Sequence, residues 1–334
     1  MGATIVIDAF WGDSGKGKVA AFLANELDAD YAVRVGTGTN AGHSVLYKGE
    51  ILKTNQLPCA FLNKRTQLRV GSGTVIDPEK FFEEMERYKL NDRTKIDYRC
   101  PIVLPEYKEA EANDENLAKK VGSTKSGTGY TISQFVLRKA KQARDIPRLK
   151  AYTTDVAEEL NNACDDGKKV ILEGSQGTYL SLALSPDYPF VTSDNCTAVS
   201  AADDAGITWN HIDEVIMIVK AIPSRVGAGP LPNEMPMEES VKLGIAEYGV
   251  TTGRQRRKAY KIDMKLLKYA AMLNAPTKIA LTFCDHLDKN AEGAHSEAEL
   301  TKPVTGLIAK IEKATNAPVS IVETGKEFEH IFTR

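Results

Sequence analysis

Short runs of apolar, β-branched residues alternate along the chain with stretches whose apolar positions recur at helical spacing. Residues 4–10 read as a buried strand, and residues 15–27 as a helix start and helix. A second strand-like run covers 31–35. Asp77-Pro78-Glu79 has the composition of a helix opening, with Asp77 as N-cap and Pro78 in the first turn. Phe81, Phe82, Met85 and Tyr88 then follow at helical spacing. Residues 169–172, 215–220 and 278–283 predict further buried strands, 302–315 a helix, and 319–322 a last strand. This alternation predicts an α/β fold around a largely parallel central sheet. Residues 104–127 break the pattern: they are polar and rich in Glu, Lys, Gly and Ser, and are expected to form a mobile segment beside an active site rather than a linker.

Composition narrows the class. At 334 residues with 42% hydrophobic content the chain can bury a large core, and the absence of internal repeats or low-complexity tracts favours one domain spanning 1–334. A net charge of −2 argues against a general nucleic-acid binder. The N-terminus lacks a basic segment followed by an apolar one, and no run of apolar residues is long enough to span a bilayer, so neither secretion nor a membrane partner is expected. Cys59, Cys100, Cys164, Cys196 and Cys284 are scattered and odd in number, which suggests mostly buried free thiols in a reducing, cytoplasmic setting.

The sharpest local pattern is Gly12-Asp13-Ser14-Gly15-Lys16-Gly17-Lys18, directly after an apolar strand and before a helix. It fits the phosphate-cradling loop: glycines let backbone N–H groups converge on phosphate oxygens, the helix presents its positive end, and a lysine adds charge. The alternative is an ordinary glycine-rich turn between strand and helix. Val19 stands where common phosphate-loop enzymes carry a Ser or Thr for magnesium. Asp13, inside the loop, would repel phosphates unless it binds a metal, does chemistry, or both; Mg²⁺ prefers such hard oxygen ligands.

Two other segments stand out. Gly36-Thr37-Gly38-Thr39-Asn40-Ala41-Gly42-His43-Ser44 places one of five histidines in a loop where backbone can approach a ligand closely. Thr251-Thr252-Gly253-Arg254-Gln255-Arg256-Arg257-Lys258 sets several cations beside two hydroxyls. That segment reads either as a solvated basic stretch or as a site for carboxylates and phosphates, which the planar arginine fork binds through two oxygens.

Taken in order, Trp11-Gly12-Asp13 with Gly15-Lys16-Gly17-Lys18, Asn40-Ala41-Gly42-His43, Glu173-Gly174-Ser175-Gln176-Gly177-Thr178, Arg225-Val226-Gly227-Ala228-Gly229-Pro230 and Thr251-Thr252-Gly253-Arg254 resemble the adenylosuccinate synthetase family. The resemblance covers nearly the whole chain and is greatest to the short archaeal and phage-encoded members. It implies a phosphate-loop-type fold with smaller subdomains, and a ligase joining L-aspartate to C6 of a purine monophosphate at the expense of a nucleoside triphosphate. Asp13 and His43 would be the catalytic base and acid, with Mg²⁺ held by Asp13 and the Gly42 carbonyl. The triphosphate would be bound by Ser14, Gly15, Lys16, Gly17, Lys18, Gly42, Ser44, Arg256, Asp285, Thr324 and Gly325. The purine monophosphate would meet Asp13, Ser14, Asn40, Thr124, Gln176, Thr192, Arg254 and Arg138, the last from the neighbouring subunit of a homodimer. Aspartate would meet Thr251, Thr252 and Arg254.

The sequence departs from the family pattern at Ser14, where a glutamate is usual, at Phe283 in place of a lysine before Asp285, at Lys125-Ser126 in place of Gly-Arg, and at Lys326 in place of a proline. Ser14 beside the base would free room for a 2-amino group, so the expectation is dGMP as acceptor with ATP, dATP or GTP as donor, as in the phage 2-aminoadenylosuccinate synthases, in the host cytoplasm if phage-encoded. The alternative is IMP with GTP. A nucleotide switch without catalysis would need neither Asp13 nor His43, and DNA binding through 254–258 is disfavoured by the charge balance.

Overall fold

The structure, a computed structural model, describes residues 2–249 and 253–334. Ten strands form one sheet in the spatial order Ile331–Thr333, Val319–Glu323, Lys278–Thr282, Ile212–Lys220, Ala3–Asp8, Val170–Gly177, Tyr31–Val35, Gln67–Val70, Thr94–Asp97 and Thr153–Thr154. Every pairing is parallel except that of Ile331–Thr333 with Val319–Glu323. All six residues of Ala3–Asp8 are buried, as expected for a central parallel strand covered on both faces. Val6 faces one apolar cluster with Val19, Leu23 and Phe81, while Ile5 and Ile7 face the other with Leu172, Met217 and Leu267. Full burial of one such side chain contributes about 1.5–3 kcal/mol.

The topology sets the position of the site. From Ala3–Asp8 the chain crosses to one side of the sheet, and later strands fill the other, so the carboxyl end of this strand lies at a switch point where open α/β sheets bind ligands. The segments after Asp8, Val35, Lys220, Thr282 and Glu323 all leave from that same edge. A two-stranded hairpin, His43–Tyr47 with Glu50–Thr54, and a three-stranded sheet of Ser224–Arg225, Arg257–Ala259 and Glu234–Met235 stand beside it.

Most expected elements are present, including the helices Lys16–Glu26, Pro78–Tyr88 and Lys302–Thr315. Asp77 occupies the N-cap position, but its side chain makes no cap hydrogen bond and instead pairs with Lys108 at 2.6 Å. The strand expected over 169–172 runs on to Gly177, because Glu173 is buried against a cation rather than turned to water. The strand expected to be last is followed by Ile331–Thr333, too short to show a period of its own. The polar 104–127 segment holds the helix Pro105–Asn113 and a π-helical turn, Asn116–Val121. Four of the five cysteines are buried and none is in a disulfide. Among the described residues no helix is long and apolar enough to cross a membrane.

Candidate active site

The phosphate loop bends through left-handed backbone at Gly12 (φ 86°), Asp13 (φ 53°) and Gly15 (φ 85°), a shape that glycine adopts freely and aspartate adopts only when held. Two contacts hold Asp13. Lys220 Nζ donates to its main-chain carbonyl at 2.9 Å, and Arg256 Nη2 lies 2.9 Å from its Oδ1. Lys16 Nζ sits 3.4 Å from Asp8 Oδ2, and Lys18 pairs with Glu323 at 3.2 Å while donating to the Gly325 carbonyl at 2.7 Å. Both loop lysines are therefore neutralised internally, and a polyphosphate must compete for them.

Asp13 lines a cleft of about 530 Å³, whose wall also carries Asn40, Gly42, His43, Thr124, Gln176 and Thr192. Sequence separates these residues by up to 179 positions; the sheet edge brings them together. Gln176 Nε2 donates to Asn40 Oδ1 at 3.0 Å, and Asn40 Nδ2 to Thr192 Oγ1 at 3.2 Å, so three of the expected monophosphate contacts form one hydrogen-bonded chain. Thr124 joins a hydroxyl relay through Ser126 and Thr128 to Thr39. The 104–127 segment forms part of the wall through Glu111, Asn116, Leu117 and Val121.

His43 begins its hairpin with the ring set by a buried carboxylate. Its Nδ1 is 2.5 Å from Glu173 Oε1, which also accepts from Arg34 Nη1 at 2.8 Å, while Glu173 Oε2 accepts from the Cys59 N–H at 2.7 Å. Arg34 and Glu173 are register partners on adjacent strands, both fully buried. A carboxylate at Nδ1 selects the tautomer with the proton there and leaves Nε2 as the working atom. That atom is buried without a hydrogen-bond partner, as are Ser14 Oγ and Arg256 Nε. Burial, reinforced by the Arg34 charge, lowers the His43 pKa to about 4, so the ring is neutral near pH 7. His43, Cys59 and Glu173 also set one ligand atom each within 4.8 Å, yet Arg34 Nη1 is 2.5 Å from His43 Nδ1, so a cation there would meet a guanidinium. The cluster is an ion-pair network. Packing is tight: a Cβ on Gly17 would lie 2.6 Å from Cys59 Sγ and 2.9 Å from His43 Cβ.

Of the expected triphosphate contacts only Gly42 is on the cleft wall; the others lie outside it. Thr282 Oγ1 donates to the Ser14 carbonyl, and Phe283 lies against Gly15. Asp285 is buried, and burial followed by the charge of Glu323 raises its pKa to about 6. Thr324 is buried with its hydroxyl donating to the Ala294 carbonyl, and Gly325 packs on His330. Ser44 is exposed. Arg254 is exposed and donates to the Gly122 carbonyl of the cleft wall at 3.2 Å. Arg138 is exposed and lies outside the cleft. Thr251 and Thr252 lie outside the described residues.

A family model described as adenylosuccinate synthetase matches residues 5–148 and 139–292. The chain belongs to the adenylosuccinate synthetase family. Adenylosuccinate synthetases of Pyrococcus sp. (strain ST700) and Archaeoglobus fulgidus are each 44% identical to it, over 100% and 99% of this chain and 99% and 98% of theirs. The fold matches that of fully ligated adenylosuccinate synthetase from Plasmodium falciparum over the whole of both chains, with a TM-score of 0.91 at 22% identity. It also resembles the cyanophage S-2L succinoaminodeoxyadenylate synthetase bound to dGMP and dATP, with a TM-score of 0.79 at 22% identity over 99% of this chain and 95% of that one. Membership makes the chain a C–N bond-forming ligase.

These findings correct the expectation of a dGMP enzyme. The relatives at 38–44% identity over nearly the full length are adenylosuccinate synthetases, and the dGMP-bound phage enzyme is alike in fold alone. The structure supplies the physical reason. Ser14 is 1% exposed and is not on the cleft wall, so its small side chain frees no room there.

Sequence reading passed over Arg34, Lys220 and Glu247. Arg34 and Lys220 did leave a trace, each being a charge inside or ending an apolar strand. Glu247 left a fainter one, as the lone charge among Ile245, Ala246, Tyr248 and Val250, and it binds Lys220 at 2.7 Å and Lys258 at 2.5 Å.

Proposed function

We propose that this ligase condenses L-aspartate with C6 of IMP, using GTP, to give adenylosuccinate. The observation that carries the reading is that one cleft wall holds both the phosphate-loop acid Asp13 and His43, with the Asn40–Gln176–Thr192 chain beside them. Asp13 takes the proton from N1 of the purine, which makes O6 nucleophilic. O6 attacks the γ-phosphorus, the bond to the bridging oxygen breaks, and GDP leaves. The aspartate amine then adds at C6, loses a proton, and expels phosphate. The intermediate is needed because a carbonyl oxygen is a very poor leaving group and phosphate a good one.

His43 supports the first transfer. With Nδ1 donating to Glu173, protonation at Nε2 turns that atom into a donor for charge developing at O6. The negative γ-phosphoryl group offsets the Arg34 charge that otherwise keeps the ring neutral. Adenylosuccinate synthetases are Mg²⁺-dependent, and the donors here suit that ion: a partly exposed Asp13 carboxylate and the Gly42 carbonyl, both hard oxygens on the cleft wall. When bound, Mg²⁺ neutralises polyphosphate charge.

Asn40, Thr124, Gln176, Thr192 and Arg254 are assigned to the purine monophosphate, Thr251, Thr252 and Arg254 to aspartate, and the loop residues with Arg256, Asp285, Thr324 and Gly325 to the triphosphate. Arg138 serves the 5′-phosphate of a partner subunit. It stands beside an exposed apolar run, Phe135 (37%), Val136 (64%) and Leu137 (56%), of the kind that a homodimer interface covers. The test is formation of adenylosuccinate from IMP, aspartate and GTP with Mg²⁺. Turnover that needs all three substrates supports the reading, and absence of product with IMP contradicts it.

A further inference from the structure

Residues 247–249 are tied to residues 254–256 by two backbone hydrogen bonds. The Arg256 N–H donates to the Glu247 carbonyl at 2.8 Å, and the Gly249 N–H to the Arg254 carbonyl at 2.8 Å. The Glu247 side chain turns inward and meets three cations. Its Oε2 accepts from Lys220 at 2.7 Å and from Lys258 at 2.5 Å, and its Oε1 lies 3.5 Å from Arg256 Nη1. Burial alone would raise the Glu247 pKa, but Lys220, Lys258 and Arg256 outweigh it and hold the carboxyl well below its usual range.

Two of the three cations continue to Asp13 from different directions. Lys220 holds the carbonyl of its left-handed residue, and Arg256 holds its carboxylate. A carboxylate absent from the cleft wall therefore controls both groups that fix the candidate base. When Asp13 turns to substrate, it must loosen its hold on Arg256. Glu247 is then the other carboxylate paired with that guanidinium among the described residues, and it keeps Arg256 from following Asp13 into the cleft.

We infer that Glu247 is a positioning residue for the ligase reaction, holding Lys220 and Arg256 so that Asp13 is presented to the purine and free to act. The inference rests on the proposed role of Asp13. The competing explanation is that Glu247 only balances buried positive charge. Lys258 separates the two, because it contacts Glu247 and His286 but not Asp13.

The experiment compares wild type, Glu247→Gln and the double variant Glu247→Gln/Lys258→Met, which removes one cation with the anion. Each is assayed with Mg²⁺, IMP, GTP and aspartate, and its thermal unfolding is recorded. Positioning predicts a double variant that folds, with kcat lower by about ten- to a hundredfold and KM for IMP within about twofold of wild type, because small displacements of reacting groups cost rate rather than binding. Wild-type kcat in the double variant overturns the inference, as does a raised KM with unchanged kcat. A double variant that cannot fold makes Glu247 a structural residue and overturns it too. Failure of the wild type itself with IMP is a separate result, which strikes the underlying reaction instead.

Discussion

Arg256 Nη2 lies 2.9 Å from Asp13 Oδ1, so the acid proposed as base and metal ligand is paired with an arginine that is itself proposed to bind the triphosphate. The phosphate loop and Arg256 are thereby coupled before any substrate is bound. Substrate must replace this ion pair with contacts of its own.

Asp13→Asn keeps the shape of the side chain but removes both its basicity and its charge. Turnover is expected to fall by at least about a hundredfold, the low end of general-base contributions. The far-ultraviolet circular dichroism should stay that of wild type. Near-normal turnover in a steady-state assay would remove Asp13 from the mechanism.

Glu173→Gln leaves Arg34 buried without its carboxylate and takes from His43 the acceptor that fixes its ring. Breaking a buried pair from one side costs about 3–5 kcal/mol. Urea unfolding should show that loss together with a lower kcat. A variant with unchanged stability would mean that Arg34 finds another partner.

Asp204 gives a pH dependence of known sign. Its carboxyl is buried, with Oδ2 accepting from the Gly36 N–H at 2.8 Å, and burial followed by the charge of Asp194 raises its pKa to about 8. The folded protein therefore holds a proton that the unfolded chain has lost above about pH 4. This contribution to stability is complete at low pH and disappears as pH rises through about 8. Asp204→Asn, a neutral mimic, should flatten that part of the stability profile measured by denaturant unfolding from pH 5 to 9. An unchanged slope assigns it to other groups.

Arg138 is exposed on its own subunit, so its proposed service to a partner is open to a mixing test. Asp13→Asn and Arg138→Ala chains, each inactive alone, should regain about a quarter of wild-type activity when unfolded together and refolded in equal amounts, since half the dimers would carry one intact site of two. No recovery in the mixed sample would place Arg138 in its own subunit's site or outside catalysis.

Much of this architecture is legible in the sequence because its signals are local. Glycine spacing at Gly12, Gly15 and Gly17 marks the phosphate loop, and unbroken apolar runs mark the central strands. The order of strands is not local, and with it goes the meeting of Gln176 with Asn40 or of Glu173 with His43. The reading of Ser14 failed for a related reason. Adjacency to Asp13 in sequence says nothing about which way a side chain points, and here the two neighbours diverge, one lining the cleft and the other enclosed behind it. Glu247 was missed because its importance comes from pairing Lys220, at the end of one strand, with Arg256 and Lys258 of a distant segment.

The central claim is that O6 of the purine is phosphorylated before aspartate displaces it. The direct test uses IMP labelled with ¹⁸O at position 6, with GTP, aspartate and Mg²⁺, and mass spectrometry of the phosphate released. Phosphorylation at O6 puts one ¹⁸O atom in each inorganic phosphate formed along with adenylosuccinate. Product formed with unlabelled phosphate, the ¹⁸O appearing in water, would contradict it.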